Sequence, residues 1–209
     1  MRFVVFIEGK TEREVISSFL RRWLQVHFEE NIGVNVVKFE GWSDYLRHVK
    51  VKAHMHLNSA TDRDGIIAVI GLLDLYGPTI YPEYLHTSKE KYTWAKNYVQ
   101  EQVGHQNYRQ FFAVHELEAW LLSQPSIFPI LIANQLNSIQ NPESVNSTEP
   151  PAKLLGKLYQ RHLQMGYKKV VHGKQLFAKL DPMVAYQKCP MLKEMLDEMA
   201  TMARSRGIK

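Results

Sequence analysis

The residues best suited to chemistry in this chain are acids placed at the ends of apolar runs. Glu8 follows Arg2 to Ile7, Asp74 follows Ile66 to Leu73, and Glu116 and Glu118 follow Arg109 to Val114. Carboxylates gathered at one place suit a hard cation such as Mg²⁺ or Mn²⁺, which keeps waters that a phosphate can displace. Such an ion polarises a phosphoryl oxygen and activates an attacking water. It also offsets the repulsion among the acids. Each acid has a plainer reading. Glu8, Glu116 and Glu118 would each favour the amino terminus of a following helix. Asp74 would be a turn residue ahead of Gly77-Pro78.

The elements that must position these acids alternate. Arg2 to Ile7, Gly33 to Glu40, Ile66 to Leu73 and Arg109 to Val114 read as strands, the third apolar enough to be buried on both faces. Helices are expected from Thr11 to about Phe28, with Thr11 and Glu14 as a capping box. Others are expected at Asp44 to His56 capped by Ser43, at Ser88 to Val103, and from Glu116 to Leu122. Strands alternating with helices predict an α/β fold, a mostly parallel four-stranded sheet flanked by helices. Ligands of such sheets collect beyond the carboxyl ends of the strands, where Glu8, Asp74 and Glu116/Glu118 all fall. Residues 1–133 form the expected core and 134–150, rich in Asn, Ser, Pro and Glu, a linker. Residues 151–209 form a helical extension, with helices at Pro151 to His162, Gly173 to Leu180 and Met191 to Arg204.

The extension carries 12 Lys+Arg against 4 Asp+Glu, a balance of +8, whereas residues 1–150 balance at −3. A basic region on a near-neutral body points to a polyanion partner, with a solvated helix face as the plainer reading. Lys153, Lys157 and Arg161 follow each other at intervals of four and line one helical stripe, and Lys168, Lys169 and Lys174 come after. Such a stripe grips a phosphate backbone without reading sequence. The single cysteine, Cys189, excludes an internal disulfide and fits a reducing cytoplasm. No apolar stretch is long enough to span a membrane. Glu8 interrupts the only candidate for a leader.

Competing motifs fall short. Gly9-Lys10-Thr11 ends like a phosphate-binding loop, but Val4 stands where the loop needs glycine. His115-Glu116-Leu117-Glu118-Ala119 opens like a zinc-protease helix, but Ala119 replaces the second histidine. His54 and His56 lack the partners of a zinc site and are expected to be exposed.

Three segments in order, Ile7-Glu8-Gly9-Lys10-Thr11-Glu12, Leu73-Asp74-Leu75-Tyr76-Gly77 and His115-Glu116-Leu117-Glu118-Ala119-Trp120, resemble a bacterial family of unknown function with a Toprim-like fold. Pro151-Ala152-Lys153, Tyr167-Lys168-Lys169 and Cys189-Pro190 share the resemblance. It implies a strand-end glutamate, here Glu8, and an Asp-x-Asp pair handling Mg²⁺ in phosphodiester chemistry. Asp74 matches the first aspartate; Tyr76 stands in place of the second, and Glu118 or Glu116 would supply the missing oxygen. The resemblance also implies a partner ATPase in phage defence. The expectation is a Mg²⁺- or Mn²⁺-dependent nuclease, with Glu8, Asp74 and Glu118 catalytic and Glu116 a further ligand. Lys10, Lys153, Lys157, Arg161, Lys168 and Lys169 would bind nucleic acid. The alternatives are a non-catalytic subunit that binds nucleic acid or a partner, with homo-oligomers allowed, and a nucleotide-binding regulator using Gly9 to Thr11.

Overall fold

A computed structural model describes residues 1–9, 12–59, 65–76, 78–114, 116–145 and 149–209, with the backbone alone for 12–14. Strands β1 (Arg2–Glu8), β2 (Gly33–Phe39), β3 (Ile66–Asp74) and β4 (Tyr108–Ala113) form one sheet, ordered β2-β1-β3-β4. Every pairing is parallel, as expected of strands joined by helical crossovers. The two central strands are buried on both faces because both faces of their alternating side chains are apolar. Phe3, Val5 and Ile7 enter one core, and Val4 and Phe6 enter the other.

Helices α2 (Trp42–Asn58) and α3 (Ser88–Val103) cover the second face. Thr87 and Glu90 close a reciprocal capping box at the start of α3, which fixes that boundary. Helix α1 (Glu12–His27) covers the first face together with the carboxyl-terminal helices. These are α4 (Glu118–Leu121), α5 (Ile130–Leu136), α6 (Pro151–Leu163), α7 (Lys174–Lys179), α8 (Pro182–Lys188) and α9 (Pro190–Ser205). Leu155, Phe177 and Leu196 belong to the same core as Phe3, so residues 151–209 share the interior of the sheet domain. Arg22 of α1 ties them down by donating to Leu180 O at 2.6 Å and Phe177 O at 2.7 Å.

Several local expectations are corrected. Helix α2 starts at Trp42, with Gly41 in the capping place, so Ser43 lies inside it. Gly41 has φ 99°, which only glycine adopts without strain, and the chain turns there rather than at Ser43. Glu116 precedes α4 instead of opening it. Within 134–150, α5 runs to Leu136 and Pro142–Ser144 forms a 3₁₀ turn. Buried Glu143 in that turn accepts from Met191 N at 2.8 Å and Leu192 N at 3.1 Å, anchoring the stretch to α9. His54 and His56 are half-buried, and His54 Nε2 donates to Val103 O at 2.8 Å. Helix α8 and a π-helical turn at Lys169–Gly173 were not foreseen. The capping box expected of Thr11 and Glu14 lies outside the described residues.

Candidate functional site

The strand register carries two of the acids to one edge. The last β1–β3 partners are Ile7 and Leu72, and Glu8 and Asp74 complete the carboxyl ends of these neighbouring strands. Both are half-buried. Beside them, the turn into α2 approaches so closely that a Cβ on Gly41 would lie 3.7 Å from Glu8 Oε1. After β4 the chain passes through Glu116 into the short helix α4, where Glu118 is only 2 % exposed. A carboxylate this buried needs a partner. It finds one in Lys169, whose Nζ is 3.1 Å from Glu118 Oε2.

Lys169 links the whole group. Burial pulls its ammonium pKa down, but attraction to Glu118, and then to Asp74 and Glu116, outweighs burial and the net shift is upward. Burial raises the Glu8 carboxyl, and the charge of Lys169 opposes that rise. Burial also raises Glu118, against the pull of Lys169 and with the repulsion of Glu116. The two members of the ion pair therefore point to opposite balances. Lys169 is the firmly charged one, because its side chain keeps 40 % exposure and faces several acids. Glu118 bears the desolvation. One ammonium thus acts electrostatically on all four acids singled out from the sequence, Glu8, Asp74, Glu116 and Glu118.

The acids are not equivalent. Glu116 Oε2 accepts from Ala152 N at 3.0 Å, satisfying one of the open N–H groups at the start of α6. Glu116 therefore docks a helix as well as contributing charge. Tyr76 is 43 % exposed, and its hydroxyl lies 3.3 Å from Ser88 Oγ at the start of α3. Sequence reasoning assigned Lys169 to phosphate, whereas here it is paired with Glu118. Its signal in the sequence, a lysine pair after Tyr167, does not distinguish it from Lys168, which is exposed. The π-turn makes the difference: Lys168 N donates to His172 Nδ1 at 2.8 Å, His172 N donates back to Lys168 O at 2.8 Å, and Lys169 is turned inward. Such turns inside helices recur at functional sites. Tyr167, next to the lysine pair, has a buried hydroxyl, and burial and then Glu118 push its pKa up.

The basic residues divide. Lys153 and Arg161 are exposed on α6, and Lys157 on the same stripe pairs with Glu149. Lys174 lines a cavity of about 20 Å³ with Val15, Leu117, Glu118, Lys169 and Phe177, which is room for one water. Lys10 and His115 lie outside the described residues.

Carboxylate oxygens are the donor chemistry that a hard divalent ion requires. The cation among them in this arrangement is the Lys169 ammonium, and among the described residues no group of three or more His, Cys, Asp or Glu is set to hold a metal ion. No described helix is long and apolar enough to cross a membrane.

Fold and site together define an α/β protein whose parallel sheet presents a lysine-centred carboxylate group at its carboxyl edge. A family model described as "Domain of unknown function (DUF4276)" matches residues 7–200, so the chain belongs to that family. Comparisons with curated proteins and with solved structures found no significant match.

Proposed function

We propose that the protein is a Toprim-like phosphodiesterase that hydrolyses nucleic acid with Mg²⁺ or Mn²⁺. The observation that carries this reading is the placing of Glu8 and Asp74 at the carboxyl ends of neighbouring parallel strands, with the charge of Lys169 acting on both and on Glu116 and Glu118. Asp74 and Glu118 would hold the metal, with Glu8 as a further ligand or as the general base and Glu116 near by. A metal there would polarise a phosphoryl oxygen and generate the attacking hydroxide. Glu8, its carboxyl raised by burial, would take the proton of the attacking water on a carboxylate oxygen. Lys153 at the start of α6, with Lys168 and Arg161, would hold phosphates. Work beside a partner ATPase in cytoplasmic phage defence is part of the proposal, supported by the resemblance alone. Mg²⁺-dependent cleavage of DNA or RNA should fall by roughly 10²-fold or more in Glu8→Gln and in Asp74→Asn. Undiminished cleavage in either variant removes that residue from the mechanism.

A second reading, a non-catalytic subunit that binds nucleic acid or a partner, is favoured by Lys169 in the cation position and by Tyr76 in place of an acid. Calorimetry with Mn²⁺ separates the two: binding that Asp74→Ala removes supports the enzyme, and a flat titration supports the subunit.

A further inference from the structure

The two edges of the sheet are finished differently. At the β4 edge Gln110 N donates to Gln100 Oε1 at 3.1 Å, and α9 packs beside the strand. The β2 edge is left partly open. Gly33 N donates to Met1 O at 3.0 Å, so Gly33, Asn35, Val37 and Phe39 bond inward to β1. The alternate residues Val34, Val36 and Lys38 then direct their backbone groups outward. Side chains close both ends of this outward row. Val34 O accepts from Ser17 Oγ at 3.2 Å and from Arg21 Nη2 at 3.1 Å, and Glu40 N donates to Asp44 Oδ2 at 3.0 Å. Between those ends stand the N–H and C=O groups of Val36 and Lys38, which bond to no other described group. Beside them runs an open trench of about 510 Å³, lined by Ser17, Arg21, His56 and residues 34–37. The strand has neither proline nor bulge, two common guards of an exposed edge, and its one lysine, Lys38, is paired with Glu40.

We propose that this edge binds a second copy of the chain, β2 against β2, antiparallel about a two-fold axis at Val37, so that two four-stranded sheets continue as one. The open row is complementary to itself in this register. Val36 faces Lys38 of the partner subunit, and each such pair exchanges both N–H···O bonds, which satisfies every group left open between Val34 O and Glu40 N. Val37 meets Val37 of the partner subunit on the axis, at a non-hydrogen-bonded position where opposed side chains come closest. Val34 stands opposite Glu40 of the partner subunit, the two places whose groups are already capped, so the pairing stops where the open row stops. Arg21, held at Val34 O, is thereby set beside the carboxylate of Glu40, a side chain that is 77 % exposed. Apolar surface continues from the strand onto α2: Lys52 Nζ sits 4.2 Å from the centre of the Phe39 ring, and one turn further along the helix Met55 is 67 % exposed. Length, register and charge are thus matched by the same segment of another copy.

Sedimentation equilibrium of the full chain over a concentration series tests this, and the wild type should dimerise. Val36→Pro removes an outward N–H, a change that an edge strand tolerates, and should weaken the dimer by roughly ten-fold or more. Glu40→Arg sets like charges opposite each other at both ends of the pairing and should weaken it by roughly ten-fold. Adding Arg21→Glu restores opposite charges and should recover most of that loss. A wild type that stays monomeric at every concentration overturns the proposal and leaves the edge to a strand of another protein. A dimer that neither Val36→Pro nor Glu40→Arg weakens uses a different surface and overturns it as well. If the variants fail to fold, amide exchange in the wild type decides. Exchange at Val36 and Lys38 should slow as protein concentration rises, and exchange there that is independent of concentration overturns the proposal.

Discussion

At the scale of single residues the informative contrast is between Lys168 and Lys169, adjacent lysines with opposite environments. One is exposed; the other neutralises a carboxylate that is 2 % exposed. Breaking a buried pair costs more than forming it gains, because the survivor is left charged and desolvated. Lys169→Met should therefore destabilise the fold by roughly 1–3 kcal/mol, less than for a fully buried pair because Lys169 still touches water. Glu118→Gln added to that variant should restore part of the loss, and denaturant midpoints of the four-member cycle would show the coupling. A second residue-scale constraint is Gly71 in β3. A Cβ there would lie 2.2 Å from Gln110 Oε1, 2.2 Å from Tyr45 Oη and 2.7 Å from Tyr108 Oη. These three groups form a buried network, with Tyr45 and Tyr108 each 2.6 Å from Gln110 Oε1. Gly71→Ala should cost roughly 3 kcal/mol, the upper range of overpacking, because the displaced atoms are polar and their bonds would break. Thermal unfolding checks it.

Among the elements, α9 shows how the carboxyl-terminal region is held. It packs beside β4, where Arg109 Nε donates to Glu198 at 2.6 Å and Lys96 pairs with Glu194. Its first turn is capped by Glu143. Burial pushes the Glu143 carboxyl up to about 7, although the N–H groups of Met191 and Leu192 favour the charged form and Glu194 opposes it. The folded protein therefore holds a proton there that the unfolded chain releases near the ordinary carboxylate pKa. Stability is highest with Glu143 protonated, falls as pH rises from about 4.5 to about 7, and is flat above that. The contribution lost is on the order of 3 kcal/mol. Urea titrations at several pH values should show this slope in the wild type and its absence in Glu143→Gln.

For the whole molecule the question is how the basic excess of residues 151–209 is used. Part of it is consumed internally: Lys157 pairs with Glu149, Lys169 with Glu118 and Lys193 with Asp197, and Lys188 donates to Ser123 O. Lys153, Arg161 and Lys168 remain on the surface. If they bind phosphates, the logarithm of nucleic-acid affinity should fall linearly with the logarithm of salt, by roughly 0.7–0.9 per phosphate contacted. Each of Lys153→Ala, Arg161→Ala and Lys168→Ala should then lower that slope by about 1. Anisotropy titrations across a salt series measure it. A salt-independent affinity would mean that the surface does not bind a backbone.

Local periodicity was enough to place β1, β3 and α3. An apolar strand buried on both faces is written in adjacent residues, and short-range sterics enforce it, whereas the Thr87–Glu90 cap that starts α3 emerged only from the structure. The grouping of Glu8 with Asp74 was also legible, because a parallel sheet sends every strand's carboxyl end to one edge. The partners across the chain were not. Glu116 capping α6, Glu143 capping α9, the inward turn of Lys169 and the network over Gly71 each join residues far apart in sequence. Only packing the helices onto the sheet decides which buried charge meets which neighbour. The sequence by itself determined where the acids stand; the tertiary structure decided that a lysine stands among them, because burying Glu118 required a counter-charge and the π-turn could deliver one.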